Sequence, residues 1–377
     1  MKKKSFKHFS SLFITLITFT IAFTACDKAN NNDDDPDNAI EPLWTYDTGE
    51  DPYQSTPFVS GDKVLVCTLA DDDDPLSKPG THCINKSTGQ LVWKINDTAT
   101  VMVISPVVYN NLIIEGGLNP HARRLSDGGI EWKFVDDIVP ASIYSNPLVA
   151  GGAAYFASPY HFVKLNAGSG ALSWEVVGLY NNLRSVCPVL KNNMVYYADA
   201  SYYNVTQFRD DNGQINWAEP FSGAFANKPL VTDDVFYVGI QDASMGAKTL
   251  RCMYLSDRTD KWGVELGTIM SDLTLADGKI YAIGMQTIYC RTAADGSAVW
   301  SYNLVSGAVS EPLVHNGKLY VGYGKGFMCL DAATGALNWD YKSGGGQTSA
   351  HGFSSPTVDG NRIYVSCSDG KVYCFDI

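Results

Sequence analysis

The sequence predicts an all-β fold, an eight-bladed β-propeller made of four-stranded antiparallel blades. Three observations predict it: tryptophans recur at a near-constant spacing, a glycine-containing turn precedes most of them, and a proline follows most of them. A repeat of about forty residues has the length of a propeller blade, so eight tryptophans predict eight blades. The tryptophans are Trp44, Trp93, Trp132, Trp174, Trp217, Trp262, Trp300 and Trp339.

The turns and prolines have one exception each. The fifth unit carries Arg258-Thr259-Asp260 where the others have a glycine turn such as Thr334-Gly335, and the sixth unit has Leu273 where the others have proline. Proline has no N–H to donate, so it is tolerated at a strand edge that has no pairing partner. We therefore expect the prolines on the innermost strand of each blade, one edge of which faces the axial channel.

Short segments within each unit alternate in polarity with a period of two. GKIYAIG (278–284) and GKLYVGYG (317–324) are examples, and turns rich in Gly, Asn and Asp separate such segments. This pattern predicts strands joined by tight hairpins, and no amphipathic helix of useful length is predicted.

The two ends of the repeat region predict how the ring closes. KVYCFDI (371–377) is predicted to be a third strand that no fourth strand follows, and PLWTYD (42–47) a fourth strand that no third strand precedes. The N-terminal strand is therefore expected to complete the last blade, leaving only short, protected strand edges.

The N-terminus has four lysines, an apolar run and then FTAC, which ends at Cys26. This resembles a bacterial lipoprotein signal, and the resemblance implies a signal peptide at 1–25 and lipidation of Cys26. Phe23 stands where lipoprotein signals prefer leucine. The alternative is an ordinary secretory signal that is cleaved at another position. With no later segment apolar enough to span a membrane, the lipid would be the membrane anchor.

Residues 26–40 are polar and acidic, which predicts a flexible tether, with the propeller following at 41–377. Such an acidic stretch also resembles export signals that carry some lipoproteins to the outer face of the outer membrane, so either side of that membrane stays open. Removing residues 1–25 changes the formal charge from −12 to −16. Nucleic acid is therefore not an expected partner.

The motif around the last tryptophan carries a specific resemblance. Cys329, Asp331, Thr334, Gly335 and Trp339 match the pattern Ala-x-Asp-x-x-Thr-Gly-x-x-x-Trp, with Cys329 in the alanine position. The chain resembles the family of pyrroloquinoline-quinone-type propeller repeats over nearly all of 41–377. The resemblance implies that all eight tryptophans are structural and dock one blade onto the next.

The same register accounts for most cysteines. Four of them stand ten residues before a tryptophan, and Cys374 takes the same place in the last unit, which predicts small apolar packing residues. Two disulfides are conceivable in an exported protein, Cys67 with Cys83 or Cys367 with Cys374. Cys67 and Cys367 both lie in second strands, but their positions relative to the preceding turn differ by one residue, which places them on opposite faces of their sheets. At most one of these disulfides is therefore expected.

Catalytic relatives of these repeats hold a quinone and calcium between a tryptophan floor and a disulfide of adjacent cysteines. This chain has no adjacent cysteine pair, so no cofactor is expected and a quinone-dependent dehydrogenase is only a third interpretation. The histidines fall in different blades and read as isolated loop residues, so no metal site is expected. Asp71–Asp74 reads as a solvated acidic loop, with calcium binding as the alternative.

Loop lengths point to one face of the ring for binding. The first-to-second and third-to-fourth turns are short, whereas the second-to-third and fourth-to-first connections vary and share the opposite face. A possible binding face there comprises Tyr160, His161, Tyr180, Leu183, Arg184, Tyr202 and Tyr203. Loop tyrosines favour recognition of protein or sugar, although a chain with 21 tyrosines places some at loop tips by chance.

A lipid-anchored propeller of this repeat and size is similar to the BamB family of outer-membrane assembly lipoproteins. The resemblance implies a monomeric, non-enzymatic scaffold at the outer membrane whose partner is the barrel assembly machinery. In that family a Leu-Arg pair lies on the partner-facing loop, and Leu183-Arg184 is in a comparable place. The alternative is a surface-exposed lipoprotein that recognises a glycan or another envelope protein.

Overall fold

The structure is a computed structural model of the chain. It describes residues 40–52, 55–69, 79–96, 105–117, 119–135, 145–158, 161–177, 187–199, 204–221, 227–240, 248–307, 310–343 and 352–377. The expected signal peptide and tether lie outside this part of the chain, except for Ile40.

Thirty-two strands are found in the described residues, and together they form eight sheets. The first strand, β1 (Trp44–Asp47), precedes the first complete blade. Blades 1 to 4 contain β2 (Phe58–Ser60), β3 (Lys63–Thr68), β4 (Gly80–Asn85), β5 (Leu91–Asn96); β6 (Val107–Tyr109), β7 (Leu112–Glu115), β8 (His121–Arg124), β9 (Ile130–Lys133); β10 (Leu148–Ala150), β11 (Ala153–Ala157), β12 (His161–Asn166), β13 (Leu172–Val177); and β14 (Val189–Lys191), β15 (Met194–Asp199), β16 (Asn204–Arg209), β17 (Ile215–Pro220).

Blades 5 to 8 follow the same plan, although the last supplies only three strands of its own. They contain β18 (Leu230–Val231), β19 (Val235–Gly239), β20 (Leu250–Tyr254), β21 (Asp260–Val264); β22 (Thr274–Ala276), β23 (Lys279–Ile283), β24 (Thr287–Thr292), β25 (Ala298–Asn303); β26 (Leu313–His315), β27 (Lys318–Tyr323), β28 (Gly326–Asp331), β29 (Leu337–Tyr341); and β30 (Thr357–Asp359), β31 (Arg362–Cys367), β32 (Lys371–Asp376).

The ring closes through β1, as the sequence predicts. The eighth sheet has the order β1-β32-β31-β30, and β1 pairs antiparallel with β32 so that Trp44 lies opposite Cys374 and Asp47 opposite Lys371. Every blade is thus a four-stranded antiparallel sheet, and the eight-bladed propeller is confirmed.

The first strand of each blade is the innermost, since first strands of neighbouring blades contact one another, as β2 does with both β6 and β30. The expected prolines stand immediately before these strands, and Leu273 lies just before β22. The prolines are Pro57, Pro106, Pro147, Pro188, Pro229, Pro312 and Pro356.

Tight turns join the first and second strands of the blades. In blades 2 and 4 the turns are Asn-Asn pairs in the left-handed region, with φ of 47° and 66° at Asn110 and Asn111. Asparagine tolerates this conformation better than most residues, which explains its place in the turn. These turns and the third-to-fourth turns form one face, here called the short-turn face; the opposite side is the variable face.

The hydrophobic core is divided among the interfaces between blades. One cluster combines Ile114 and Trp132 of blade 2 with Phe156 and Val163 of blade 3. A sheet that is apolar on both faces needs a neighbour on each side, so packing between blades stabilises each sheet. Within the described residues, no helix is long and apolar enough to cross a membrane.

Candidate functional site

Every tryptophan lies in the fourth, outermost strand of its blade, opposite a residue of the third strand. In five blades that residue is cysteine: Cys83, Cys252, Cys290, Cys329 and Cys374. Ala122, Lys164 and Gln207 occupy the place in blades 2, 3 and 4.

Six indoles donate a hydrogen bond to the turn of the next blade. Trp300 Nε1 lies 3.1 Å from the Ala332 carbonyl oxygen, and a Cβ on Gly335 would lie only 2.7 Å from Trp300 Cδ2. The close packing requires glycine, whose φ there is +74°. The other bonds are Trp44 to Lys86 (3.0 Å), Trp93 to Leu125 (3.2 Å), Trp132 to Ala167 (3.1 Å), Trp174 to Asp210 (2.8 Å) and Trp262 to Ala293 (3.1 Å).

The junction between blades 4 and 5 is built differently. Arg258 takes the place of the glycine with φ of 60°, and its guanidinium carbon lies 5.8 Å from the Trp217 ring centroid. A left-handed conformation costs a non-glycine residue about 1–2 kcal/mol, which the cation–π contact partly offsets.

The junction between blades 7 and 8 also differs, because the fourth strand of blade 8 is β1, so no third-to-fourth turn joins it to β32 in the described residues. The Trp339 ring lies 5.5 Å from that of Phe327 and 6.1 Å from that of Phe375. Ile40 and Ile377 pack against the same cluster, so the two ends of the propeller lie beside this indole.

Of the seven residues predicted for the binding face, only His161 is among the described residues. It is the first residue of β12, is fully buried rather than exposed, and its backbone N–H donates to Ser158 Oγ at 3.0 Å. Tyr160, Tyr180, Leu183, Arg184, Tyr202 and Tyr203 lie outside the described residues, as do Cys26 and Asp71–Asp74.

A ring of side chains at the axis was missed by the sequence reasoning. The residue before each first-strand proline, or before Leu273, is Thr56, Ser105, Asn146, Cys187, Lys228, Asp272, Glu311 or Ser355. Backbone N–H groups connect neighbours in the ring; that of Thr56 donates to Ser105 Oγ at 3.0 Å, and that of Ser105 to Asn146 Oδ1 at 2.9 Å. The sequence feature that could have identified this ring is the position directly before the proline, or before Leu273, which recurs in each of the eight blades.

Charge in this ring is concentrated in blades 5, 6 and 7. Lys228 Nζ of blade 5 lies 3.1 Å from Asp272 Oδ2 of blade 6 and 2.9 Å from Glu311 Oε2 of blade 7. The second contact therefore joins two blades that are not neighbours. Burial disfavours the charged ammonium, but the two carboxylates outweigh burial and raise the pKa of Lys228. Burial raises the pKa of Glu311, and Lys228 offsets this only in part. The trio links three blades at the axis.

A second buried polar cluster joins blades 1 and 2. Glu115 accepts hydrogen bonds from Arg123 Nε at 2.9 Å and Thr81 Oγ1 at 2.6 Å, and His121 Nε2 lies 2.9 Å from its carboxylate. Burial alone would raise the pKa of Glu115, but His121, Arg123 and Thr81 lower it to about 2. Glu115 is therefore a buried, charged link between the blades.

The described cysteines are all free thiols, so neither conceivable disulfide is present among them. Cys67 lies opposite Thr81 and Cys83 opposite Leu65, so the register keeps the first pair apart. Cys374 likewise lies opposite Tyr364 and Cys367 opposite Lys371.

The histidines also differ from the isolated loop residues expected. His82, His121 and His161 lie buried in strands, and His315 ends β26. His82 Nδ1 lies 3.0 Å from the Tyr46 hydroxyl, and burial lowers the pKa of His82 to about 3. In the part of the chain that the structure describes, no three His, Cys, Asp or Glu residues are grouped as metal ligands.

Comparisons with known proteins agree with this architecture. The sequence profile of the outer membrane protein assembly factor BamB matches residues 40–177 and 246–377. A search of curated protein sequences finds no match.

Solved structures with the same fold include BamB from Moraxella catarrhalis, with 15% identity and a TM-score of 0.68 over 90% of this chain and 98% of that one. The computationally designed Ika8 protein has 14% identity and a TM-score of 0.69 over 88% and 99%. A quinohemoprotein alcohol dehydrogenase from Comamonas testosteroni has 12% identity and a TM-score of 0.62 over 89% and 76%.

The protein is an eight-bladed β-propeller of the pyrroloquinoline-quinone-like repeat class. Because the profile matches more than half of its residues, the chain belongs to the family of the outer membrane protein assembly factor BamB.

The described residues do not fit a quinone of the kind that catalytic relatives bind. All eight indoles lie in outermost strands, so none can form a flat floor at the axis, where the ring around Lys228 lies instead. The sequence also contains no adjacent cysteine pair.

Proposed function

We propose that this chain is a non-enzymatic, lipid-anchored binding scaffold of the cell envelope that takes part in assembling outer-membrane proteins. The observation that carries the proposal is the family match, which covers residues 40–177 and 246–377 of the propeller. Cys26 would hold the protein on the outer membrane, and a component of the barrel assembly machinery would be the partner.

The architecture supports binding rather than catalysis. Indole hydrogen bonds and the polar links at Glu115 and Lys228 join neighbouring blades, which favours a rigid ring. A rigid ring that carries loops of variable length on one face is suited to recognition. The eight tryptophans act, in this proposal, as docking residues between blades, and the absence of an indole floor at the axis disfavours the quinone enzyme.

The experiment is a pull-down of the lipidated full-length protein from its own envelope after mild crosslinking, with protease shaving of intact cells. The proposal expects barrel-assembly components in the eluate and a chain that shaving leaves intact. Arg184→Glu should reduce their recovery, whereas Arg209→Glu, an exposed arginine on the short-turn face, should not. A lipidated chain that recovers no barrel-assembly component would refute the assembly role.

One observation favours a second candidate, recognition of a glycan or another envelope protein at the cell surface. The family profile leaves residues 178–245 unmatched, and these include five of the seven candidate binding residues: Tyr180, Leu183, Arg184, Tyr202 and Tyr203. Binding residues that diverge from the family suit a different ligand. A chain that shaving removes, and that recovers glycan or uptake proteins, would support this candidate over barrel assembly.

A further inference from the structure

The outer edge of blade 6 lacks the charged side chains that the other blades carry there. The fourth strand of each blade ends its sheet, so one edge of that strand pairs with no other strand. Such an edge can pair with a foreign chain, and proteins usually protect it with charged side chains or proline. β25 has neither, and the sequence holds no charged residue from Gly296 to Ser310.

The other seven outermost strands that the structure describes all carry at least one charged side chain. They hold Asp47 in β1, Lys94 in β5, Glu131 and Lys133 in β9, Glu175 in β13, Glu219 in β17, Asp260 and Lys261 in β21, and Asp340 in β29. β17 also ends on Pro220. Among these eight edges, the one on blade 6 is therefore the unprotected one.

The backbone of β25 shows which groups face outward. The Leu304 N–H donates to the Gln286 carbonyl oxygen at 2.8 Å, and β25 pairs with β24 in regular register from Trp300 onwards. In an antiparallel ladder, successive residues direct their N–H and C=O groups to opposite edges of the strand. Ser301 and Asn303 therefore direct theirs away from β24, and both residues are exposed.

Apolar side chains lie at both ends of this edge. Val299 near its start is 38% exposed, and Val305 just beyond its end is 62% exposed. Met285 is 67% exposed and lies beside Val305, because the hydrogen bond between Leu304 and Gln286 brings the two segments together. A chain that paired with β25 would thus meet apolar side chains at both ends of the strand.

We propose that β25 binds an uncharged, extended segment of another polypeptide as a fifth strand of blade 6. Outward N–H and C=O groups in strand geometry are complementary to another extended backbone. A second copy of this chain suits the edge less well, because two chains with a formal charge of −12 repel each other. This surface is separate from the variable face of the proposed scaffold, so it does not depend on a barrel-assembly partner or on the lipid anchor.

The test measures binding of a fluorescein-labelled peptide to the purified full chain by fluorescence anisotropy. The peptide alternates valine and threonine over six residues, the length of β25, and both residue types favour extended structure. A second peptide has proline at every other position, which removes N–H groups and fixes φ near about −65°, away from strand geometry. We expect saturable binding of the first peptide and none of the second.

Two lysine variants locate the site. Ser301→Lys gives β25 the residue that β5 and β9 carry directly after their tryptophans, Lys94 and Lys133. It should weaken binding at least about fivefold, because the edge then carries a charge. The matched control Ala218→Lys adds the same side chain at the equivalent exposed position of β17 and should leave binding unchanged.

Hydrogen exchange reports the pairing itself. Saturating peptide should slow exchange of the outward N–H groups of Ser301 and Asn303, because they become donors in a new ladder. Ser301→Pro removes one of these donors at an edge position that tolerates proline, so it should weaken binding about fivefold, the effect of one backbone hydrogen bond. The urea midpoint of each variant checks that the propeller stays folded.

Four outcomes would overturn the proposal. They are no binding by the parent chain, equal weakening by the two lysine variants, binding of the proline peptide as tight as that of the first, and protection from exchange that appears only outside β25. Sedimentation of the parent as a dimer that Ser301→Lys disperses would assign the edge to a second copy and would overturn the proposed partner.

Discussion

Replacing Gly335 by alanine tests whether the turn of one blade closes on the tryptophan of the one before. Gly335 has φ of +74°, and an added Cβ would lie 2.7 Å from Trp300 Cδ2 and Cε3. Blade 7 also supplies a matched control: Gly317 has φ of +73° with nothing within 4 Å of its Cβ position. The two substitutions share the backbone strain and differ in the contact with the indole.

The expected magnitudes follow from these two terms. Left-handed backbone strain costs alanine about 1–2 kcal/mol, which is the whole expected effect of Gly317→Ala. Gly335→Ala adds overpacking against a ring that is also hydrogen-bonded to Ala332, which costs about 1–3 kcal/mol more. The total expected loss of unfolding free energy for Gly335→Ala is therefore about 2–5 kcal/mol.

The assay is urea unfolding of both variants and the parent, followed by tryptophan fluorescence and circular dichroism. An unchanged slope with a lower midpoint reports a change in stability. Equal midpoints for Gly335→Ala and Gly317→Ala would refute the reasoning, because the indole contact would then contribute nothing.

Three further predictions use the same unfolding assay or a thiol reagent. Because the pKa of Glu115 is lowered from 4.5 to about 2, its charge should stabilise the fold by about 3 kcal/mol above pH 4.5 and lose that effect as the pH falls towards 2. The destabilisation by Glu115→Gln should therefore shrink between pH 7 and pH 3, and a constant difference would contradict this account. Arg258→Ala keeps the strain and loses the contact with Trp217, so it should cost about 0.5–1 kcal/mol. Arg258→Gly loses the same contact but removes the strain, so it should be more stable than Arg258→Ala by about 1–2 kcal/mol; the reverse order would argue against this. Burial raises the pKa of the Cys83 and Cys374 thiols to about 11, so both should resist a disulfide reagent at pH 8 until urea unfolds the chain. Rapid reaction of the folded protein would show that these thiols are accessible.

The repeat made the fold predictable because one local pattern is used eight times. Each tryptophan follows its turn within a few residues, and the prolines mark the innermost strands. Closure by β1 followed from counting strands at the two ends, and the pairing of Trp44 with Cys374 has the register that the repeat implies.

The candidate sites were harder to predict, because they depend on contacts between distant parts of the chain. The residue before the proline differs from blade to blade, and nothing local reveals that Lys228 of blade 5 pairs with Glu311 of blade 7. His161 was expected at an exposed loop, but it is already the first residue of β12 and is fully buried. Glu115 follows the apolar run Leu112–Ile114, and nothing local shows that its carboxylate pairs with buried Arg123.

The central claim is that the protein is a scaffold that binds an envelope protein through its variable face. The most direct measurement places a photo-crosslinking amino acid at Lys325 or at Ser87 in the lipidated protein in its own cells. The account predicts that residue 325 gives an adduct with an envelope protein of the barrel assembly machinery and that residue 87 gives no protein adduct. Protein adducts from residue 87 alone, or none from either position, would contradict it.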